Sequence, residues 1–182
     1  MIKRLLGPII LFTIIGMFFL FPFAASLMNK SLSELTIKNS PQEPWFLKEE
    51  KAKYVLVYFG YVGCETVCTD SLTDIKELYK KIDEKEMDLP FYFINIDPKL
   101  PSNLPEHFAK SFDTRFHGIY SDIKQLNKLK QDFNLAIQET EIEISHSSNL
   151  YLFKKEDEQY KLFKIYITHP YDKELLLKAL QN

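Results

Sequence analysis

The chain has 182 residues, of which 46% are hydrophobic, and a formal net charge of −2. This length suits one domain of about 150 residues after an N-terminal segment, and the charge lacks the basic excess that a nucleic-acid partner would favour, so no such partner is expected. Two cysteines are too few for a disulfide scaffold, although an exported protein can oxidise them to each other.

An uncharged, largely apolar run occupies residues 5–28 and follows the basic pair Lys3 and Arg4. It exceeds the roughly 20 apolar residues that a helix needs to cross a bilayer, and the basic pair should stay cytoplasmic. We therefore expect a single-pass anchor in the inner (cytoplasmic) membrane, with the soluble part on the exported, periplasmic or equivalent side. A cleaved signal peptide is the alternative, because residues 24–26 are small, although the run is long for a signal peptide. Lipid attachment is not expected, since no cysteine lies near the end of the run.

The sequence after the anchor divides into a tether with short strands at 29–50 and a domain at 51–182. Apolar and β-branched runs bounded by turn residues predict strands, at residues 35–37, 45–47, 54–59, 91–96, 116–120, 149–153 and 160–167. Apolar residues at helical spacing predict helices, after a cap at Thr69, Asp70 or Ser71, from Pro105 to Phe112, after a cap at Ser121, and over 172–180. Strands that alternate with helices and end in a hairpin and a helix indicate a mixed α/β sheet covered on both faces.

The two cysteines, Cys64 and Cys68, follow the predicted strand at 54–59 and the turn-prone residues 60–63. A helix start favours thiolate there, whereas the carboxylate of Glu65 opposes it. One helical turn separates the two residues, so their sulfurs can converge. A structural disulfide or two buried thiols are the alternatives, but ligand sites collect beyond the carboxyl ends of strands in α/β sheets.

His146 lies in a loop before the strand at 149–153, where it can approach the cysteine loop. Two thiolates and an imidazole would form a three-ligand site that suits copper, and the same ligands also suit zinc. We expect His107, His117 and His169 to be spectators. Asp97, which ends the second buried strand, either orients a metal ligand or caps its own turn.

Four motifs occur in order along the chain: Phe59-Gly60-Tyr61-Val62-Gly63-Cys64-x-x-x-Cys68, Asn95-Ile96-Asp97-Pro98, Phe112-x-x-x-Phe116-x-Gly118 and His146-Ser147-Ser148. Together they resemble the Sco/SenC family of membrane-anchored copper proteins, and the similarity covers about residues 54–180. The resemblance implies a thioredoxin-like fold. It also implies copper, Cu(I) or Cu(II), bound by Cys64, Cys68 and His146.

The family resemblance further implies a role in maturing the CuA site of cytochrome c oxidase, by copper delivery or by reduction of the target cysteines. The expected partner is the CuA-bearing subunit or another exported copper acceptor. Where the family usually has proline after each motif cysteine, this chain has Glu65 and Thr69. It also has Lys99 after the Asp-Pro pair and Ser145 before the histidine, where the family usually has other residues.

Three functions follow from these residues. In a copper chaperone, the two thiolates bind Cu(I) and His146 completes a trigonal site. In a thiol-disulfide oxidoreductase, Cys64 attacks a partner disulfide, Cys68 resolves the mixed disulfide and His146 is dispensable. In a redox-inert binding domain, the two cysteines form a structural disulfide. The first two roles can coexist, so enzymatic activity stays open at this point.

Overall fold

A computed structural model describes residues 16, 17, 20, 34–36, 41–85, 87–140, 144–167 and 169–181. The predicted anchor at 5–28 lies outside these residues apart from three isolated positions, as does much of the predicted tether. Within the described part, no helix combines the length and apolar character needed to cross a membrane. Residues 34–182 form a compact unit.

The described strands of this unit are β1 (Glu34–Thr36), β2 (Tyr54–Gly60), β3 (Phe91–Asn95), β4 (Phe116–Ile119), β5 (Gln138–Glu139), β6 (Ile144–Ser145), β7 (Leu150–Glu156) and β8 (Gln159–Tyr166). Six of them form one sheet, in the spatial order β1-β8-β7-β2-β3-β4. Strands β2, β3 and β4 are parallel, whereas β7 is antiparallel to β2 and to β8, and β1 is antiparallel to β8. The sheet is therefore mixed, as predicted, and β5 and β6 form a separate small hairpin that the sequence did not indicate.

Helices cover both faces of the sheet. They are α1 (Val67–Asp83), α2 (Leu104–Phe112), α3 (Ile123–Phe133) and α4 (Lys173–Leu180), with a short 3₁₀ helix at Trp45–Leu47. Every residue of β2 is buried. Alternate side chains of a strand point to opposite faces of the sheet, and both faces are covered here. Tyr54, Leu56 and Tyr58 join the core under α1 and α4, while Val55, Val57 and Phe59 join the core under α3.

The structure corrects one strand and two helix caps. Residues 45–47 were expected to form a strand but form the 3₁₀ helix, in which the Leu47 N–H donates to the Pro44 carbonyl at 3.1 Å and only Leu47 is fully buried. Asp122, not Ser121, caps α3 through a capping box with Gln125, because the buried Ser121 lies one residue too early to reach the first-turn amides.

Helix α1 begins earlier than the predicted caps at 69–71. Its first residue is Val67, and Thr66 occupies the cap position without a side-chain cap bond. Cys68 therefore lies inside the first turn of the helix rather than before it. The terminal hairpin is also tighter than predicted: β7 ends at Glu156 and β8 begins at Gln159. Asp157 and Glu158 form the turn and both adopt positive φ, as a two-residue hairpin turn requires.

Candidate metal centre

Three segments meet beyond the carboxyl end of β2. Cys64 lies in the loop after β2, Cys68 lies in the first turn of α1, and His146 lies between β6 and β7. Because β7 is antiparallel to β2, with Leu150 opposite Tyr58, the segment entering β7 comes beside the loop leaving β2. Strand pairing thus brings together Cys68 and His146, which are 78 positions apart in sequence.

The ligand atoms of these three residues converge. The two Sγ atoms and an imidazole nitrogen of His146 all lie within 4.8 Å of one another. His146 Nε2 is 3.3 Å from Cys68 Sγ. Both cysteines are free thiols, Cys68 is 0% exposed and Cys64 is 7% exposed, and His146 is half-buried. The arrangement can hold one metal ion, and the two sulfurs can also approach each other for disulfide chemistry.

A backbone carbonyl selects the tautomer of His146. Its Nδ1 lies 2.9 Å from the Ser147 carbonyl oxygen. A carbonyl can only accept, so we assign the proton to Nδ1, which leaves the Nε2 lone pair on the side of Cys68. The rings of Tyr58 and Tyr61 contact the imidazole edge-on, with centroids 6.3 and 5.9 Å away. The hydrogen bond and the two rings thus hold the imidazole with Nε2 towards Cys68, as the partners of a histidine ligand do in metal sites.

The two thiols differ in acidity. Burial acts to raise the pKa of Cys64, but hydrogen bonds outweigh it and lower this pKa below its usual value; one of them comes from the Cys68 N–H, 3.4 Å from Cys64 Sγ. Burial raises the pKa of Cys68 to about 12. The expectation that the helix start favours thiolate therefore holds for Cys64 and is wrong for Cys68 in the metal-free protein, since the loss of hydration opposes the charge there.

Two residues near the cysteines, Gly60 and Thr69, restrain the loop between β2 and α1. A Cβ at Gly60 would lie 2.9 Å from Cys68 Sγ and 2.8 Å from the Tyr58 ring, so only glycine lets the strand pass beneath the sulfur. The Thr69 hydroxyl donates to the Cys64 carbonyl at 3.0 Å. Thr69, which replaces a usual family proline, therefore restrains the same loop through a hydrogen bond.

The remaining predicted histidines lie away from this cluster. Among the residues that the structure describes, Cys64, Cys68 and His146 are the one group of potential ligands close enough to share an ion. His107 and His117 are exposed, on α2 and β4, and His169 lies 3.9 Å from a carboxylate oxygen of Asp74.

Asp97 caps its own turn. Its carboxylate accepts a hydrogen bond from the Lys99 N–H at 3.0 Å, which matches the second of its two predicted roles. Sequence reasoning did not anticipate the flanking rings of Tyr58 and Tyr61 or the Ser147 carbonyl. Their aromatic and backbone contacts depend on strand register across the sheet edge rather than on local spacing.

The sequence matches the SCO1/SenC family over residues 35–180, which includes both cysteines and the histidine. The chain belongs to the SCO1/SenC family. An SCO2-like protein of Rickettsia prowazekii is 27% identical over 122 residues, which cover 62% of this chain and 59% of that protein. The SCO1 homolog 1 of Arabidopsis thaliana, a mitochondrial protein, is 25% identical over 116 residues, covering 60% of this chain and 35% of that protein.

Solved structures of the family share the fold. The copper-bound crystal structure of Arabidopsis thaliana ScoI superposes with a TM-score of 0.63 at 21% identity, covering 71% of this chain and 83% of that one. A SCO1/SenC lipoprotein from Bacillus anthracis gives 0.62 at 18% identity, covering 82% of this chain and 95% of that one. The matching segments span only 43%, 42% and 59% of the length of three Rickettsia relatives.

Proposed function

We propose that this protein binds one copper ion through Cys64, Cys68 and His146. We further propose that it serves the maturation of the CuA site of cytochrome c oxidase, either as a copper donor or by keeping the acceptor cysteines reduced. The observation that carries the proposal is the convergence of the three ligand atoms within 4.8 Å. Family membership supports it, because relatives such as the Arabidopsis protein have been crystallised with copper.

The donor set suits Cu(I). Thiolate sulfur is a soft ligand that selects Cu(I), and imidazole also suits copper. His146 offers an unprotonated Nε2, because its Nδ1 donates to the Ser147 carbonyl. The high pKa of Cys68 in the metal-free protein does not oppose binding, since a metal ion reverses the local preference and displaces the thiol proton. Three protein ligands leave one side of the ion open to an acceptor.

A Cu(I) competition titration of the full-length reduced chain tests this site. We expect one copper per chain, with binding lost in Cys64→Ser and Cys68→Ser and weakened in His146→Ala. His107→Ala is the matched control, because it removes an exposed imidazole outside the cluster. Wild-type protein that binds no copper, or binding that is equally strong in His146→Ala, would contradict the proposed ligand set. A parallel Zn(II) titration decides between the two metals that the ligands can accept.

A thiol-disulfide reaction is the second candidate, favoured by the unequal acidity of the two cysteines. The Cys64 thiolate attacks one sulfur of a partner disulfide and expels the other as a thiolate. Cys68 then loses its proton and attacks the Cys64 sulfur, which releases the second partner thiol and leaves a Cys64–Cys68 disulfide. The related protein BsSco has been described with a disulfide switch.

Activity in His146→Ala separates the two candidates. Reduction of a model disulfide at the wild-type rate, with copper binding lost, would show that the thiol reaction does not depend on the copper site. Loss of both properties would favour a single centre in which the imidazole acts on the thiols as well as on the metal. Resistance of the Cys64–Cys68 bond to mild reductants would instead support the third, redox-inert function.

We also propose that residues 1–28 anchor the domain at 51–182 to the inner membrane, with 29–50 as a tether and the site on the exported side. The acceptor is then the CuA-bearing subunit or another exported copper protein. The support is the uncharged run at 5–28 behind two basic residues. Membrane fractionation, with protease added from the exported side, tests this placement, and a shortened mature chain would favour a cleaved signal peptide instead.

A further inference from the structure

Tyr171 lies between β8 and α4, at residues that none of the sequence motifs include, and it contacts both halves of the candidate centre. It is 5% exposed. Its backbone N–H donates to Asp74 Oδ2 at 2.7 Å, and its side-chain hydroxyl donates to the Ser148 carbonyl oxygen at 2.7 Å. One residue is therefore bonded at its backbone to α1 and at its side chain to the loop that carries His146.

The Asp74 end of this link is fixed to the cysteine helix. Asp74 lies on α1, whose first turn contains Cys68, and is 9% exposed. Its second carboxylate oxygen, Oδ1, accepts a hydrogen bond from Lys173 Nζ at the start of α4. Because the carboxylate accepts from both Tyr171 and Lys173, the position of the Tyr171 backbone is tied to α1, and so to Cys68.

The hydroxyl end of the link acts on the histidine loop. Ser148 follows His146 by two residues and precedes β7 by two. Two consecutive carbonyls of this loop thus accept hydrogen bonds from different donors. The Ser147 carbonyl accepts from His146 Nδ1, and the Ser148 carbonyl accepts from the Tyr171 hydroxyl. A shift of the Ser148 peptide would move the Ser147 carbonyl with it, and the imidazole would turn.

We propose that Tyr171 is a positioning residue that sets His146 Nε2 at its place beside Cys68 Sγ. The inference rests on the proposed function, since it assigns Tyr171 to the same three-ligand centre. A tyrosine suits this task, because its ring is rigid and only two side-chain torsions separate the backbone from the hydroxyl. The link holds the two walls of the site together in the absence of metal and lowers the cost of ordering the histidine when copper binds.

Tyr171→Phe tests the link, because it keeps the buried ring and removes the hydroxyl. Tyr79→Phe is the matched control: its hydroxyl also donates to a buried backbone carbonyl, that of Leu89, but at the opposite end of α1. We expect Tyr171→Phe to weaken Cu(I) binding by the full-length chain about tenfold, the lower end of the loss seen when a partner of a metal ligand is removed. Tyr79→Phe should leave Cu(I) affinity unchanged.

Combination with His146→Ala distinguishes positioning from a general loss of structure. In the His146→Ala background, Tyr171→Phe should cost no further copper affinity, because the ligand that it positions is gone. An equal loss in both backgrounds would overturn the proposal, as would an unchanged affinity in Tyr171→Phe alone.

A metal-free measurement keeps this test separate from the copper proposal. The side-chain NMR signal of His146 in the reduced, metal-free chain should shift and broaden in Tyr171→Phe and stay unchanged in Tyr79→Phe. If wild-type protein binds no copper but this signal responds, the proposed function fails and the positioning role stands. If the signal does not respond, Tyr171 does not position His146, whatever the copper titration gives.

Discussion

A histidine lies at each end of the parallel strands β2, β3 and β4, and the two histidines have different neighbours. At the carboxyl ends, His146 faces two thiols within 4.8 Å. At the amino ends, His117 stacks on Tyr92 with ring centroids 5.3 Å apart and lines a cavity of about 250 Å³ with Arg115 and Tyr79. The residue type is the same, but the surrounding donors differ.

The charged groups around Arg115, at the amino ends, are paired with each other. Arg115 bonds the carboxylates of Asp113 and Asp83, and its guanidinium lies 4.9 Å from the centre of the Tyr79 ring. These ion pairs neutralise the charges and join the end of α1 to the segment just before β4. At the carboxyl ends the potential ligand atoms instead converge, so convergence of donors, rather than the presence of a histidine, marks the end that we propose as the functional end.

The largest expected contrast lies within the functional end, between its two thiols. Alkylation proceeds through the thiolate, so its rate rises with pH until the thiol has ionised. The pKa of Cys64 is lowered from 9.0, whereas that of Cys68 is raised to about 12. At neutral pH, Cys64 should therefore react with iodoacetamide more than about tenfold faster than Cys68, because a much larger fraction of Cys64 is thiolate and each pKa unit is tenfold in thiolate.

Initial rates at each cysteine, measured by mass spectrometry across pH, test this contrast. The Cys64 profile should reach its half-maximum below pH 9.0, the usual thiol value. Equal rates for the two thiols would mean that the buried position of Cys68 is not maintained in solution. Addition of Cu(I) should protect both cysteines, and this protection should weaken in His146→Ala.

Local patterns predicted most of the sheet but less of the site. Strand β2 and the helix after it follow from apolar runs and helical spacing, and Cys64 and Cys68 were recognisable because they are close in sequence. His146 is 78 positions from Cys68, and its role was indicated by the loop position and the family resemblance rather than by spacing. The Tyr171 link could not be predicted, because it depends on how the end of β8 meets both α1 and the loop before β7.

The wrong predictions concern residues that can take more than one structural role. Thr69, Asp70 and Ser71 are good cap residues, but α1 already begins at Val67, and the Thr69 hydroxyl bonds the cysteine loop instead. Trp45–Leu47 has strand-like composition, yet the preceding Pro44 begins a tight turn in which Leu47 donates back to it. Composition does not distinguish such roles without the packing partners.

Gly60→Ala should disrupt the functional end directly. The added methyl would lie 2.9 Å from both Cys68 Sγ and the Phe93 ring, and such overpacking costs about 1–3 kcal/mol of unfolding free energy. Copper affinity should fall as well, because the methyl displaces the sulfur. Urea denaturation and the Cu(I) titration measure the two effects.

Gly63→Ala is the matched control for that substitution. Gly63 has φ +97° and nothing within 4 Å of an added Cβ, so alanine there strains the backbone by about 1 kcal/mol without touching Cys68. If both alanine variants lower copper affinity equally, the close passage of β2 under the sulfur does not shape the site.

Arg115→Gln should affect the opposite end alone. It removes two partly exposed ion pairs and the contact with the Tyr79 ring, which together stabilise the fold by about 1 kcal/mol, because solvent weakens exposed pairs. Urea denaturation should show this loss, while Cu(I) affinity stays at the wild-type value. A weaker copper complex in Arg115→Gln would mean that the two ends are coupled through α1, and the contrast between them would fail.

Thr69→Val gives the smallest expected effect and asks whether a hydroxyl takes over the restraint that proline usually supplies in this family. Valine keeps the shape of threonine but cannot donate to the Cys64 carbonyl, so we expect a loss of about 0.5–1 kcal/mol of unfolding free energy and faster amide exchange in the loop after β2.

Thr73→Val is the matched control, because the Thr73 hydroxyl donates at 2.8 Å to the Thr69 carbonyl within α1 and does not reach the loop. Faster loop exchange in Thr69→Val alone would identify the Thr69 hydroxyl as the restraint on Cys64. The same exchange in both variants would mean that the loop is held by its burial against β2 and α1, and that the hydroxyl does not replace the missing proline.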